Sequence, residues 1–175
     1  MIWESGPWRR DLERDALLIA KWSAAKPTSR RDVLLEKKVF LTAYSARKLL
    51  EARKIPDKIG SETLKFQSHP VKAVPTWINW HKLDKCYDFS AKQTTSVTIR
   101  ELTNLIIHSY VMIFTMSRSK TITGFFLASD RSRKSRILYV PIKHYVNLCK
   151  KIAAAEVSSF SWRVQQDGQE QVVVT

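Results

Sequence analysis

The stretch RELTNLIIHSYVM, residues 100–112, contains the change of period that decides the fold class. Up to Ile107 it repeats like a helix. Ile99, Leu102, Leu105 and Ile106 share one face, and Thr98 with Glu101 three residues on makes a capping box to start it. After Tyr110 the pattern turns to strands. VMIFTMS, TITGFFLAS and RILYVPI are separated by the short links RSK and DRSRKS, which reads as an antiparallel meander. Pro141 stops the third strand and opens IKHYVNLCKKIAAAE, a helix with Ile142, Tyr145, Val146, Cys149 and Ile152 on its apolar side. Further on, Asp167-Gly168 stands between two strand-like runs, a tight-hairpin signal.

Working back from the stretch, the first third is helical. DLERDALLIAKWSAA places Leu12, Ala16, Ile19 and Ala20 on one face, and Pro7 suits a first turn. KPTS interrupts, and Ser29 with Asp32 resembles a capping box with a shorter acid. A second helix then carries the stripe Leu35, Val39, Ala43, Ala46 and Leu50, broadened by Val33, Phe40 and Tyr44, and ends before Pro56. Two helices joined so briefly should pair antiparallel. Residues 56–97 read as an irregular insert with strand-like pieces such as LKFQSH, although a loop that long implies some hidden element. The expectation is one α+β domain over residues 1–175. It has a helical part over 8–112, interrupted by 56–97, and a β-rich part over 110–175.

Thirty Lys and Arg against sixteen Asp and Glu give a net charge of +14. Such an excess attracts polyanions and says nothing about fold. RNA or another nucleic acid is the first partner it suggests, and an acidic protein the second. No apolar run reaches the roughly 20 residues needed to span a bilayer, so no membrane partner is expected. MIWESGPWRR lacks a signal-peptide core, and Cys86 and Cys149 lie far apart, so a cytoplasmic protein with reduced thiols is expected. Six tryptophans are scattered along the chain, which favours packing anchors over a single binding cage.

Asn104 and His108 fall one helical turn apart. Arg100 lies another turn back, about 80° round from His108 at roughly 100° per residue. Two readings follow. In one, Asn104 and His108 satisfy each other or nearby backbone at a buried helix end. In the other, His108 is a general acid or base, with an amide to orient substrate and an arginine for a phosphate.

TNLIIHSY resembles the signature of HEPN domains, small helical modules common in prokaryotic toxin–antitoxin and defence systems. That signature is an arginine, a polar residue often asparagine, a short apolar stretch, histidine, one residue, then in some members tyrosine. Asn104, His108 and Tyr110 stand at those positions, and FLTAYSARKLLEARK is similar to the long second helix of such domains. The likeness falls within residues 8–112. It implies RNA as substrate and a metal-independent ribonuclease site built by arginine and histidine of two subunits, hence a homodimer through the His108 helix. The arginine's position, directly before Asn104, is held by Thr103, and the nearest upstream arginine is Arg100. The resemblance therefore leaves two roles open, a ribonuclease using Arg100 or an RNA-binding protein that has lost the activity.

The basic turns of the meander are the second candidate. Arg118 and Lys120 flank one, and Arg131, Arg133, Lys134 and Arg136 crowd the next. Exposed arginines fork onto phosphates, whereas the bland reading is a solvated, soluble edge. His81 with Cys86 and His144 with Cys149 lack the usual zinc spacings, and no glycine-rich phosphate loop or nucleophile elbow occurs, so neither metal nor cofactor is expected.

Overall fold

In the computed structural model, which describes residues 2–165, 167 and 170–175, the chain is α+β. Helices α1 (Ser5–Ala24) and α2 (Ser29–Glu51) come first, followed by α3 (Asp57–Gly60), β1 (Thr63–Pro70), α4 (Leu83–Cys86), β2 (Gln93–Thr98) and α5 (Ile99–Ile107). Then come β3 (Ser109–Met116), β4 (Ile122–Ser129), β5 (Arg136–Pro141), α6 (Ile142–Ala154), β6 (Phe160–Val164) and β7 (Glu170–Val174). The antiparallel sheet has the order β2-β1-β5-β4-β3, and β6 pairs with β7 apart from it. Gly168, in the expected hairpin turn, lies outside the described residues.

The segment 56–97 is not an irregular insert. It supplies two of the five strands, with β1 lodged between β2 and β5. The strands were hard to read because they carry few large apolar residues. In β1 only Leu64 and Phe66 face the helices, and β2 is an edge strand of threonines with Val97 as its single aliphatic. β-branched threonine suits such a half-exposed strand without giving an alternating apolar signal. The capping box at Thr98 is formed as expected, with Thr98 Oγ1 accepting from the Glu101 N–H and the Glu101 carboxylate accepting from the Thr98 N–H. It turns the chain from β2 directly into α5, which crosses one face of the sheet to reach β3 at the opposite edge.

That face holds the main core. Ile99, Leu102 and Ile106 of α5 and Ile142, Tyr145, Cys149 and Ile152 of α6 are buried there with Phe125 and Leu127 of β4. α1 and α2 pack as an antiparallel pair over these helices, burying Leu12, Ala16 and Ile19 together with the whole stripe from Leu35 to Leu50. Val33 and Tyr44, expected to broaden that stripe, are exposed instead, as is Ala20. A 2.6 Å ion pair between Asp15 and Lys38 ties the two helices. The Tyr145 hydroxyl donates to the Val39 carbonyl at 2.9 Å, joining α6 to α2. The cap of α2 is Thr28, whose hydroxyl accepts from the Arg31 N–H; the cap lies one residue before the expected Ser29, and with arginine three residues on it is a simple side-chain cap in place of the expected box. At its far end the N–H groups of Arg53 and Lys54 return to Leu50 and Leu49 with Arg53 at φ 56°, a left-handed position that usually belongs to glycine.

The other face of the sheet is covered by the chain between β1 and β2. Cys86, Tyr87, Val111, Ala128 and Ile137 form a second small core there. His69 is also buried, 2 % exposed, and packs against Phe89 and Phe126. Among the described residues no helix is long and apolar enough to cross a membrane.

Candidate nucleic-acid interface

His108 caps the C-terminus of α5, its N–H returning to the Asn104 carbonyl at 3.0 Å. Both side chains are exposed. The reading of Asn104 and His108 as polar groups at a buried helix end is therefore overturned: the apolar face of α5 turns to the sheet, and the opposite side carries Glu101, Asn104 and His108 outward. These three line one wall of a cleft of about 720 Å³, and Asp130, Arg131 and Arg136 of the β4–β5 turn line the other. The helix motif and the basic turn, read separately in the sequence, meet in one place. They do so because Ser109, the residue after His108, pairs with Ser129, the last residue before that turn.

The charge of the cleft follows from its hydrogen bonds. Glu101 is held by the backbone N–H and hydroxyl of Thr98 at 2.6 and 3.0 Å. Asp130 accepts two N–H groups of Arg133 on one oxygen, at 2.8 and 2.9 Å. Arg131 and Arg136 are exposed, and among the described residues neither has an ion-pair partner. Asp130 is thus matched by Arg133, Glu101 keeps its charge on the neutral donors of Thr98, and the two arginines of the cleft face solvent. Ser129, Ser132 and Ser135 add hydroxyls along the turn. Ser129 and Ser135 already donate to the Ser132 hydroxyl and carbonyl, so what the wall offers an anion is chiefly its guanidinium forks.

The remaining motif residues are not brought here. Arg100 is half-buried, with its guanidinium beside Gly60 of α3. The arginine that does reach Asn104 is Arg47 of α2, which donates to Oδ1 at 3.3 Å while also paired with Glu51 at 2.7 Å. Hydrogen bonds from Lys48 and Arg47 hold the Glu51 carboxyl below its ordinary range. No local spacing could have signalled Arg47, because the contact joins two helices far apart in sequence. Thr103, in the position of the missing family arginine, is 1 % exposed and donates to the Arg100 carbonyl at 2.9 Å. Tyr110 sits at a register shift between Ser109 and Val111, which sends its ring to the other face of the sheet, toward the second core. There it contacts the Trp77 ring at 5.4 Å, and the Arg133 guanidinium lies over it at 4.0 Å.

Arg133 is therefore an internal strut, which also donates to the Pro75 carbonyl. Lys134 is exposed on the same turn. Arg118 and Lys120 are exposed on the β3–β4 turn, at the opposite end of β4, about 27 Å away for eight residues at roughly 3.4 Å each. Among the tryptophans, Trp8 and Trp22 pack against the core as expected, but Trp3, Trp77, Trp80 and Trp162 are exposed. Among the described residues no group of three His, Cys, Asp or Glu is placed to hold a metal ion. A smaller cavity of about 380 Å³ between β1 and α6 collects none of the candidate residues. No family model matches the chain, and neither a curated protein nor a solved structure matches it.

Proposed function

We propose that the protein binds RNA or another nucleic acid in the cleft between α5 and the β4–β5 turn. Arg131 and Arg136 would take backbone phosphates, and Asn104 and His108 would offer hydrogen bonds from the facing wall. The observation that carries this reading is the meeting of His108 and Asn104 with two unpaired arginines in a cleft whose Asp130 is already matched by Arg133. Binding is favoured over cleavage. The place of the family arginine is a core position, and Arg100 points toward Gly60 rather than to His108. The cleft is lined by a single chain, so this reading does not need the pairing of two copies that the HEPN resemblance implies.

The test is the salt dependence of affinity for a labelled single-stranded RNA. Changing Arg131 and Arg136 together to Ser should weaken binding. It should also flatten the log–log salt slope by about 1.4, at roughly 0.7 per lost contact on a single strand. Equal affinity of variant and parent at every salt concentration would remove the cleft as the binding site. The same RNA, incubated without metal, tests the enzymatic alternative. Cleavage by the parent protein that is abolished in His108→Ala at unchanged melting temperature would establish a ribonuclease in place of a binding protein.

A further inference from the structure

The β4–β5 turn has a second side. While Arg131 faces the cleft, Arg133 reaches through to Tyr110 and to the Pro75 carbonyl, and so anchors the segment 74–80, VPTWINW. This segment is firmly built. The Asn79 carboxamide oxygen accepts from the Thr76 N–H at 2.6 Å and from its hydroxyl at 3.0 Å, and the Trp80 N–H returns to the Thr76 carbonyl at 3.0 Å. Yet its large side chains are not buried by it: Trp77 is 85 % and Ile78 83 % exposed. A tryptophan held out on a fixed backbone forgoes the burial that ordinarily stabilises the residue, and adjoining exposed apolar groups mark a contact surface.

Its surroundings decide what it contacts. Trp77 meets the Tyr110 ring at 5.4 Å, and the Arg133 guanidinium covers another part of that ring at 4.0 Å, so three flat π-surfaces adjoin one another. The flanking chain is basic, with Lys72, Lys82 and Lys85 against Asp84 across residues 71–86. Aromatic faces beside a positive groove are what unpaired bases use, since every base has a π-face while its phosphates need cations. A base-paired helix keeps its bases stacked inside and offers Trp77 nothing comparable.

We infer that Trp77, backed by Tyr110, is a stacking platform for unpaired bases of a single-stranded nucleic acid. The backbone of that strand passes the β4–β5 turn at Arg131 and Arg136. This rests on the nucleic-acid reading of the cleft and adds the substrate class: single-stranded rather than duplex.

The experiment compares the full chain with Trp77→Ala and Trp77→Phe. The probes are a labelled single-stranded RNA of about 12 nucleotides, an abasic strand of equal length, the matching duplex and poly-L-glutamate. Trp77→Ala should bind the single strand about 5- to 150-fold more weakly, the loss typical of one stacked base. Trp77→Phe should recover most of it. Abasic strand and duplex should bind both variants as they bind the parent. Melting temperatures should be unchanged, because the side chain is exposed. Single-strand affinity unchanged in Trp77→Ala, while the Arg131 and Arg136 variant still lowers the salt slope, overturns the platform and leaves the cleft standing. Equal loss on the abasic strand overturns stacking. Binding of poly-L-glutamate, sensitive to Trp77, with no binding of any nucleic acid by the parent protein, overturns both readings in favour of an acidic protein partner.

Discussion

Arg133 separates a structural charge from a binding one, and its replacement by Ala has a magnitude that can be worked from its contacts. Its side chain is 16 % exposed, whereas that of Asp130 is 70 % exposed, so the ion pair is screened on one side and contributes less than about 1 kcal/mol. The guanidinium over Tyr110 at 4.0 Å is partly desolvated, where a cation–π contact is worth about 1–2 kcal/mol. The charged donor on the Pro75 carbonyl adds roughly 1.5 kcal/mol or more. These terms share one side chain and do not simply add, so we expect Arg133→Ala to cost about 2–4 kcal/mol. At roughly 2–4 °C per kcal/mol for a chain of this size, the melting temperature should fall visibly. Arg133→Lys should recover less than half, since one ammonium cannot stack on Tyr110 and fork to two oxygens. Urea unfolding measures the loss, and amide exchange at Asn79 and Trp80 should report loosening of the segment that Arg133 anchors. The reasoning fails if Arg133→Ala leaves the unfolding midpoint in place and instead lowers the salt slope of RNA binding as the cleft variants do.

Two further outcomes concern the core. Burial lowers the His69 pKa from its ordinary 6.5, against an opposing hydrogen bond to the Asp88 carbonyl, so the unfolded chain takes up the proton first as pH falls. Stability from this residue is therefore complete above pH 6.5 and declines as pH drops below it toward the folded pKa; a urea midpoint that varies identically with pH in the parent and in His69→Gln would refute the assignment. Thr103→Arg, which would restore the HEPN signature, should instead destabilise the protein by about 3 kcal/mol or more, because the guanidinium enters the interior unpaired; a folded variant with an unchanged melting temperature would show that the site has room for it.

The fold was legible where burial is one-sided and periodic. α6 buries every residue of its expected stripe, and β3, β4 and β5 fall on the three alternating runs, because each presents one continuous apolar face to a core. β1 showed only as the strand-like piece LKFQSH and β2 escaped, because Gln, Ser and Thr dominate β2 and the sheet supplies through its pairing what such side chains do not signal. The site was legible in its parts only. Asn104 and His108 were placed together by helical spacing, as they are found, but the same spacing could not say which side of α5 meets the sheet. Tyr110 was separated from them by a register shift that no residue type announces. Trp77 was one of six scattered tryptophans, which argue for packing until the exposure of each is known.

The net charge takes on meaning once the acids are located. Six acids of the N-terminal half are tied into ion pairs with neighbouring bases, among them Asp15 with Lys38, Glu51 with Arg47 and Lys48, and Asp57 with Arg53. Between Leu102 and Ala155 nine basic residues face a single acid, Asp130, and that acid is held by Arg133. Residues 102–155, which carry the meander and one cleft wall, thus hold a net +8, the same excess as residues 1–101 at about twice the density. An excess spread evenly over the molecule would attract polyanions without orienting them. One concentrated beside a cleft raises the local concentration of a phosphate chain where Arg131 and Arg136 stand, and added salt should reduce that attraction first. Mutating the distant Arg118 and Lys120 in place of the cleft pair separates these cases, because only general attraction would treat the two ends of β4 alike.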